Sequence, residues 1–210
     1  MQVFIVCFEI IGTVSFALSG AVTGLKKEMD LFGICVLGLT TAVGGGVIRD
    51  LLLGITPPTT FRNPGYVLIA LAVSIVVFLP KVRRLLMKNQ RLYELVLLAA
   101  DSAGLAIFTV NGADIALNAG YTHNLFLVLF VAVVTGVGGG VLRDLFAGDR
   151  PYIFIKHIYA CAALAGAIAY VAVRLALGDT TASMLIGFSL IIAIRLCSAA
   201  FRWSLPKAKV

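Results

Sequence analysis

The sequence predicts an all-α membrane protein: seven transmembrane helices, built as two inverted three-helix repeats plus a seventh helix, with glycine-broken helices two and five. Three observations lead there. Of the 210 residues, 60% are hydrophobic and only 13% are charged, about half the charged fraction of a soluble domain. Apolar stretches of the roughly 20 residues needed to cross a bilayer recur from end to end. One decapeptide is written twice, as Thr41-Ala-Val-Gly-Gly-Gly-Val-Ile-Arg-Asp50 and as Thr135-Gly-Val-Gly-Gly-Gly-Val-Leu-Arg-Asp144.

Taken in order, segment one runs from about Val3 to Leu25 and stops at Lys26-Lys27-Glu28. It has no basic n-region and no small-residue cleavage site before Lys26, so it reads as a helix rather than a signal peptide. Segment two spans about Leu31 to Leu53 and carries the first glycine triplet; Pro57, Pro58, Arg62 and Pro64 follow in a loop. Segment three, near Gly65 to Leu79, is short for a span and is stopped by Pro80. A basic loop at 81–91 holds Lys81, Arg83, Arg84, Lys88 and Arg91. Segment four covers about Leu92 to Leu117, and segment five about Asn124 to Leu145 with the second triplet. Asp149-Arg150-Pro151 turns the chain into segment six, Tyr152 to Leu177. Gly178-Asp179 breaks it again before segment seven, Ala182 to Phe201. The expected units are therefore 1–80 (repeat one), 81–91 (basic cytoplasmic loop), 92–177 (repeat two) and 178–210 (seventh helix and tail).

The repeat is wider than the decapeptide. From segment two onward the halves align at an offset of 94, pairing Phe32 with Phe126, Gly54 with Gly148 and Pro57 with Pro151. Their first helices align at 92, pairing Glu9 with Asp101, Gly12 with Gly104, Phe16 with Phe108 and Gly20 with Gly112. Three spans per repeat is an odd number, so the second copy enters the membrane from the opposite side. The net charge of +7 lies between apolar segments, which encodes topology and does not point to nucleic acid. With the N-terminus outside, the inner loops and tail hold Lys26, Lys27, Lys81, Arg83, Arg84, Lys88, Arg91, Arg150, Lys156, Arg202, Lys207 and Lys209. The outer loops hold Arg62 and Arg174. N-out and C-in follows.

Each glycine in a helix costs about 1 kcal/mol relative to alanine. Gly44, Gly45 and Gly46, with Gly138, Gly139 and Gly140, therefore mark either helix breaks, whose freed carbonyls would line a cation route, or a seam where helices pack closely. Gly20-Ala-Val-Thr-Gly24 reads as packing. An ionisable side chain at mid-membrane costs at least ~2.5 kcal/mol, which singles out Arg49, Asp50, Arg143 and Asp144. Sequence neighbours leave a helix about 100° apart, so each Arg and Asp is expected to find other partners, or the arginines to snorkel to an interface. Those partners are sought among Glu9, Thr13, Ser15 and Ser19 on segment one, and Asp101, Ser102, Thr109, Asn111 and Asp114 on segment four. Cys7, Cys35, Cys161 and Cys197 stand singly and read as small buried hydrophobes. His123 and His157 have no metal-ligand companion. Nucleophile-triad, zinc-protease, Walker and dinucleotide motifs are absent, so neither an enzyme nor a bound cofactor is expected.

Two copies of Gly-Gly-Gly-x-x-Arg-Asp, each on the second helix of a three-helix repeat with a seventh helix added, resemble the prokaryotic trimeric intracellular cation (TRIC) channel family. The same sequence family is also described as a bacterial glycine-transporter domain. The resemblance implies a homotrimer with one pore per protomer, bounded by helices one, two, four and five, that passes K⁺ and also Na⁺. It implies pore helices kinked at Gly44–Gly46 and Gly138–Gly140, with Arg49, Asp50, Arg143 and Asp144 beside them. The expected function is a monovalent cation channel of an inner membrane, in which Glu9, Ser19, Asp101 and Asn111 add polar lining and no metal is held beyond permeating K⁺. The alternative is a secondary carrier of a small zwitterion such as glycine.

Overall fold

The computed structural model describes residues 2–155 and 158–203; Lys156, His157, Lys207 and Lys209 lie outside them. All the regular structure among the described residues is helical. Helix α1 (Gln2–Lys26) is followed by α2 (Leu31–Leu52), whose N-cap Asp30 accepts from the Gly33 amide. Short α3 (Thr59–Arg62) precedes α4 (Gly65–Phe78), and α5 (Pro80–Lys88) turns away from α4 by 69°. The second half runs through α6 (Gln90–Asn118), α7 (Leu125–Phe146), short α8 (Tyr152–Ile155) and α9 (Ala160–Leu177). Helix α10 (Thr180–Ala200) closes the described fold. Six of these helices are long and apolar enough to span a membrane, and the bent α4–α5 pair makes a seventh.

The helices group in threes. Helices α1, α2 and α4 form one three-helix bundle and α6, α7 and α9 the other, joined through α1 against α6 and α2 against α7. Helix α10 packs on α9 and α6. The core carries Phe16, Ile34, Leu105, Ile107 and Tyr170 at no more than 1% exposure, while Phe32 and its repeat counterpart Phe126 are 77% and 80% exposed. Apolar side chains thus cover both the inside and the outside, as a bilayer solvent requires.

Four expectations are corrected. The glycine triplets do not interrupt their helices, because α2 and α7 are continuous α-helix through Gly44–Gly46 and Gly138–Gly140. Close approach explains the glycines instead. A Cβ at Gly45 would lie 2.2 Å from the Thr135 carbonyl oxygen, and one at Gly139 would lie 2.1 Å from that of Thr41. These two contacts are one contact with its partners exchanged between repeats, as a two-fold relation produces. Next, the span expected from Tyr152 is divided, with Tyr152–Ile155 forming a turn before α9; the expected basic loop is largely α5, started by Pro80 at its first position. Finally, Cys7 and Cys161 are exposed on the apolar surface rather than buried, since lipid accepts the same side chains as a core.

Candidate functional site

Both copies of the motif end their helix in the same way. Gly54 and Gly148 take positive φ values of 70° and 71°, a region glycine enters without a Cβ clash. The next residue's amide then returns to the motif aspartate, Ile55 to the Asp50 carbonyl and Asp149 to the Asp144 carbonyl, each at 2.8 Å. This is the Schellman arrangement. It folds the following segment back beneath the aspartate, so that Asp50 Oδ2 accepts from the Thr59 amide at 2.7 Å and Asp144 Oδ2 from the Tyr152 amide at 2.8 Å.

The arginines do pair with their aspartates, which corrects the expectation that neighbours 100° apart would not. Arg49 Nε donates to Asp50 Oδ1 at 2.8 Å, and Arg143 Nε to Asp144 Oδ1 at 2.8 Å. The arginine side chain is long enough to curl round the helix surface to the adjacent carboxylate. Both arginines are buried, Arg49 at 6% and Arg143 at 0% exposure, so neither snorkels.

Around these pairs stand two polar clusters, about 15 Å apart along α1, from Glu9 to Ser19 at 1.5 Å per residue. In the first, Glu9 accepts from the Asn111 amide at 2.7 Å and from the Tyr66 hydroxyl. In the second, Arg143 Nη1 donates to Asp101 at 2.7 Å and to the Ser19 hydroxyl at 2.5 Å, and the Tyr159 hydroxyl donates to Asp101 at 3.2 Å. Glu9 and Asp101 are equivalent in the repeat, as are Ser19 and Asn111. Each acid therefore belongs to one repeat while a neutral polar group reaches into its cluster from the other. A buried carboxylate or guanidinium without partners is strongly destabilising, and every one of these has them.

A cavity opens at each cluster. The first, about 50 Å³, is lined by Glu9, Thr13, Arg49, Tyr66, Phe108 and Asn111. The second, about 460 Å³, lies at the basic end and is lined by Lys26, Glu94, Asp101, Tyr152, Arg195 and Trp203. Between them Phe16 and Phe108, equivalent in the repeat, stack with ring centroids 5.3 Å apart, beside the Gly45–Gly139 seam. The two cavities are separate.

Of the expected site residues, Glu9, Arg49, Asp50 and Asn111 meet in the first cluster, and Ser19, Asp101, Arg143 and Asp144 in the second. Gly46 lines the first cavity, while Gly44, Gly45, Gly138 and Gly139 make the seam and Gly140 faces the Tyr159 hydroxyl. Asp114 stands apart, bound by the Tyr170 hydroxyl at 2.6 Å and Asn118 at 3.0 Å. Sequence reasoning missed Thr59, Tyr66, Tyr152, Tyr159 and Arg195. Only Arg195 left a signal, as a lone cation within a span; the tyrosines and the Thr59 amide reach the site through chain reversals that periodicity does not encode.

A family model described as Glycine transporter matches residues 6–81 and 98–174, one block per three-helix bundle. The UPF0126 membrane protein YvgT of Bacillus subtilis is 38% identical over 200 residues, which is 94% of this chain and 93% of that one. The chain belongs to the UPF0126 family of membrane proteins. Another UPF0126 member, the inner membrane protein YadS of Escherichia coli, is 37% identical over 94% of this chain and 91% of its own. The UPF0126 fold is also that of solved cation channels. The TRIC trimeric intracellular cation channel orthologue from Rhodobacter sphaeroides superposes with TM-score 0.87 at 34% identity, covering 95% of this chain and 99% of that one. A TRIC cation channel whose structure addresses conductance does so with TM-score 0.83 at 35% identity and 97% of both chains. The family blocks leave out α10.

Proposed function

We propose that this protein is a channel for monovalent cations, K⁺ and also Na⁺, in a prokaryotic inner membrane, with one pore in each protomer of a homotrimer. The observation that carries the reading is the pair of polar clusters within the four-helix junction of α1, α2, α6 and α7, each with its own cavity and separated by a thin apolar seam. Similarity to solved TRIC cation channels over nearly the whole chain supports it. Glu9 and Asp101 supply the negative field, and Asn111 and Ser19 supply ligand atoms that replace waters of hydration. Arg49 and Arg143, tethered by Asp50 and Asp144, exclude anions from being drawn deeper by pairing each positive charge with a fixed carboxylate. The Lys and Arg bias of the loops supports a cytoplasmic face for the cavity near Asp101 and an outside N-terminus.

The test is single-channel current from purified protein in planar bilayers under a KCl gradient. Discrete openings that reverse near the K⁺ equilibrium potential are expected, and Asp50→Ala alters them. Saturable glycine uptake in proteoliposomes without any current would replace this reading with the carrier suggested by the family model's description.

A further inference from the structure

We infer that Arg195, on the helix outside the repeat, sets the ionic asymmetry of the pathway: it cancels the charge of one mouth while the other keeps a net negative charge, so the pore rectifies. This rests on the channel reading above. At the first mouth, Arg49 is matched by Asp50, and among the described residues Glu9 is held by the neutral Asn111 amide and Tyr66 hydroxyl and by no cation. One negative charge is left over. At the second, Arg143 matches Asp144 and bridges to Asp101, which would leave the same surplus by repeat symmetry. Arg195 removes it. Its Nη2 lies 3.4 Å from Asp101 Oδ2, its Nε 3.3 Å from the Ser102 hydroxyl, and its guanidinium 4.7 Å from the Tyr159 ring centroid. It lines the larger cavity beside Lys26 and Glu94, whose charges offset each other.

Two features show that this charge is an addition. Helix α10 lies outside both family-matched blocks, so the first mouth has no equivalent arginine. Arg143 also holds Asp101 more closely than Arg195 does, at 2.7 Å against 3.4 Å, so Asp101 keeps a tight partner without Arg195. A charged mouth raises the local concentration of its counterions. That field decays over about 8–10 Å in physiological salt, less than the roughly 15 Å along α1 between the clusters, so each mouth acts on its own entrance. Cations entering at the Glu9 mouth are concentrated, and those entering at the Asp101 mouth are not.

The experiment is single-channel recording in symmetric KCl, in patches excised from expressing cells so that every channel has its biosynthetic orientation. Wild type passes more cation current from the Glu9 mouth to the Asp101 mouth than the reverse, by about 1.3-fold in physiological salt and approaching about twofold in dilute KCl, the screened and unscreened Boltzmann weights of one charge roughly 10 Å from an ion in water. Arg195→Gln, which keeps a donor for Asp101 and Ser102, brings the ratio toward one by raising the weaker direction. Arg195→Lys keeps the wild-type ratio. Glu9→Gln brings the ratio toward one by lowering the stronger direction, and the double variant reverses it. Because Glu9→Gln leaves Arg195 in place, the asymmetry is tested even if Arg195→Gln does not assemble. Wild-type rectification in Arg195→Gln or in Glu9→Gln, or an Arg195→Lys channel that behaves like Arg195→Gln, overturns the inference. Absence of any wild-type K⁺ current overturns the channel reading itself.

Discussion

At the residue scale the three glycines of each motif are unequal. At Gly45 a methyl group would press on a backbone carbonyl at 2.2 Å, at Gly44 on the end of the Leu142 side chain at 2.5 Å, and at Gly46 on nothing nearer than Arg49 at 3.6 Å. A backbone atom yields only if α2 and α7 part, which costs about 1–3 kcal/mol as overpacking. A leucine methyl rotates away for less, and Gly46→Ala gains about 1 kcal/mol of helix propensity. The expected order of apparent melting temperature in detergent is therefore Gly46→Ala at or above wild type, then Gly44→Ala, with Gly45→Ala lowest by several degrees. Equal losses at all three positions would mean that the triplet serves flexibility rather than close approach. The acids follow the same logic of fixed partners. Asp50 and Asp144 each hold an arginine at one carboxyl oxygen and a returning backbone amide at the other.

At the element scale α4 and α5 depend on one another. Fourteen residues of α4 reach about 21 Å, short of the roughly 30 Å hydrocarbon core. Helix α5 then turns by 69°, with Lys81, Arg84, Leu85 and Lys88 on one side and Val82 and Leu86 on the other. Leu86 is buried against the first bundle and Leu85 is 63% exposed. Helix α5 thus docks its apolar side on the first bundle and turns its basic side outward, where lysine and arginine suit the membrane interface. A nitroxide at Val82 is expected to be shielded from a water-soluble nickel chelate, and one at Arg84 to be relaxed by it, with accessibilities differing a few-fold. Equal accessibilities at the two positions would mean that α5 stands clear of the bundle.

For the whole molecule the decisive question is which cavity faces which compartment. Asn63, exposed beside the Glu9 end, and Glu94, exposed on the wall of the larger cavity, report on opposite faces. With the four native cysteines replaced, a membrane-impermeant maleimide added to intact cells is expected to label Asn63→Cys and spare Glu94→Cys. Inverted vesicles should give the opposite pattern. The reverse result in both preparations would place the N-terminus inside, against the lysine and arginine bias. The Phe16–Phe108 stack and the glycine seam lie between the two cavities, so on the channel reading proposed above an ion crossing from one to the other has to pass that apolar contact.

The sequence by itself determined the membrane class, the helix order and the repeat, because hydropathy and duplicated residues are local or periodic signals. It also singled out Glu9, Asp101, Arg49, Asp50, Arg143 and Asp144, because buried charge is costly enough in a bilayer to stand out. The tertiary structure alone decided how those charges are satisfied. Arg49 curls onto its own neighbour, Asn111 and Ser19 cross between repeats, and Tyr66, Tyr159 and Arg195 arrive from helices far away in the chain. It likewise settled the glycines, since a helix break and a close crossing require the same residue and differ only in what lies opposite.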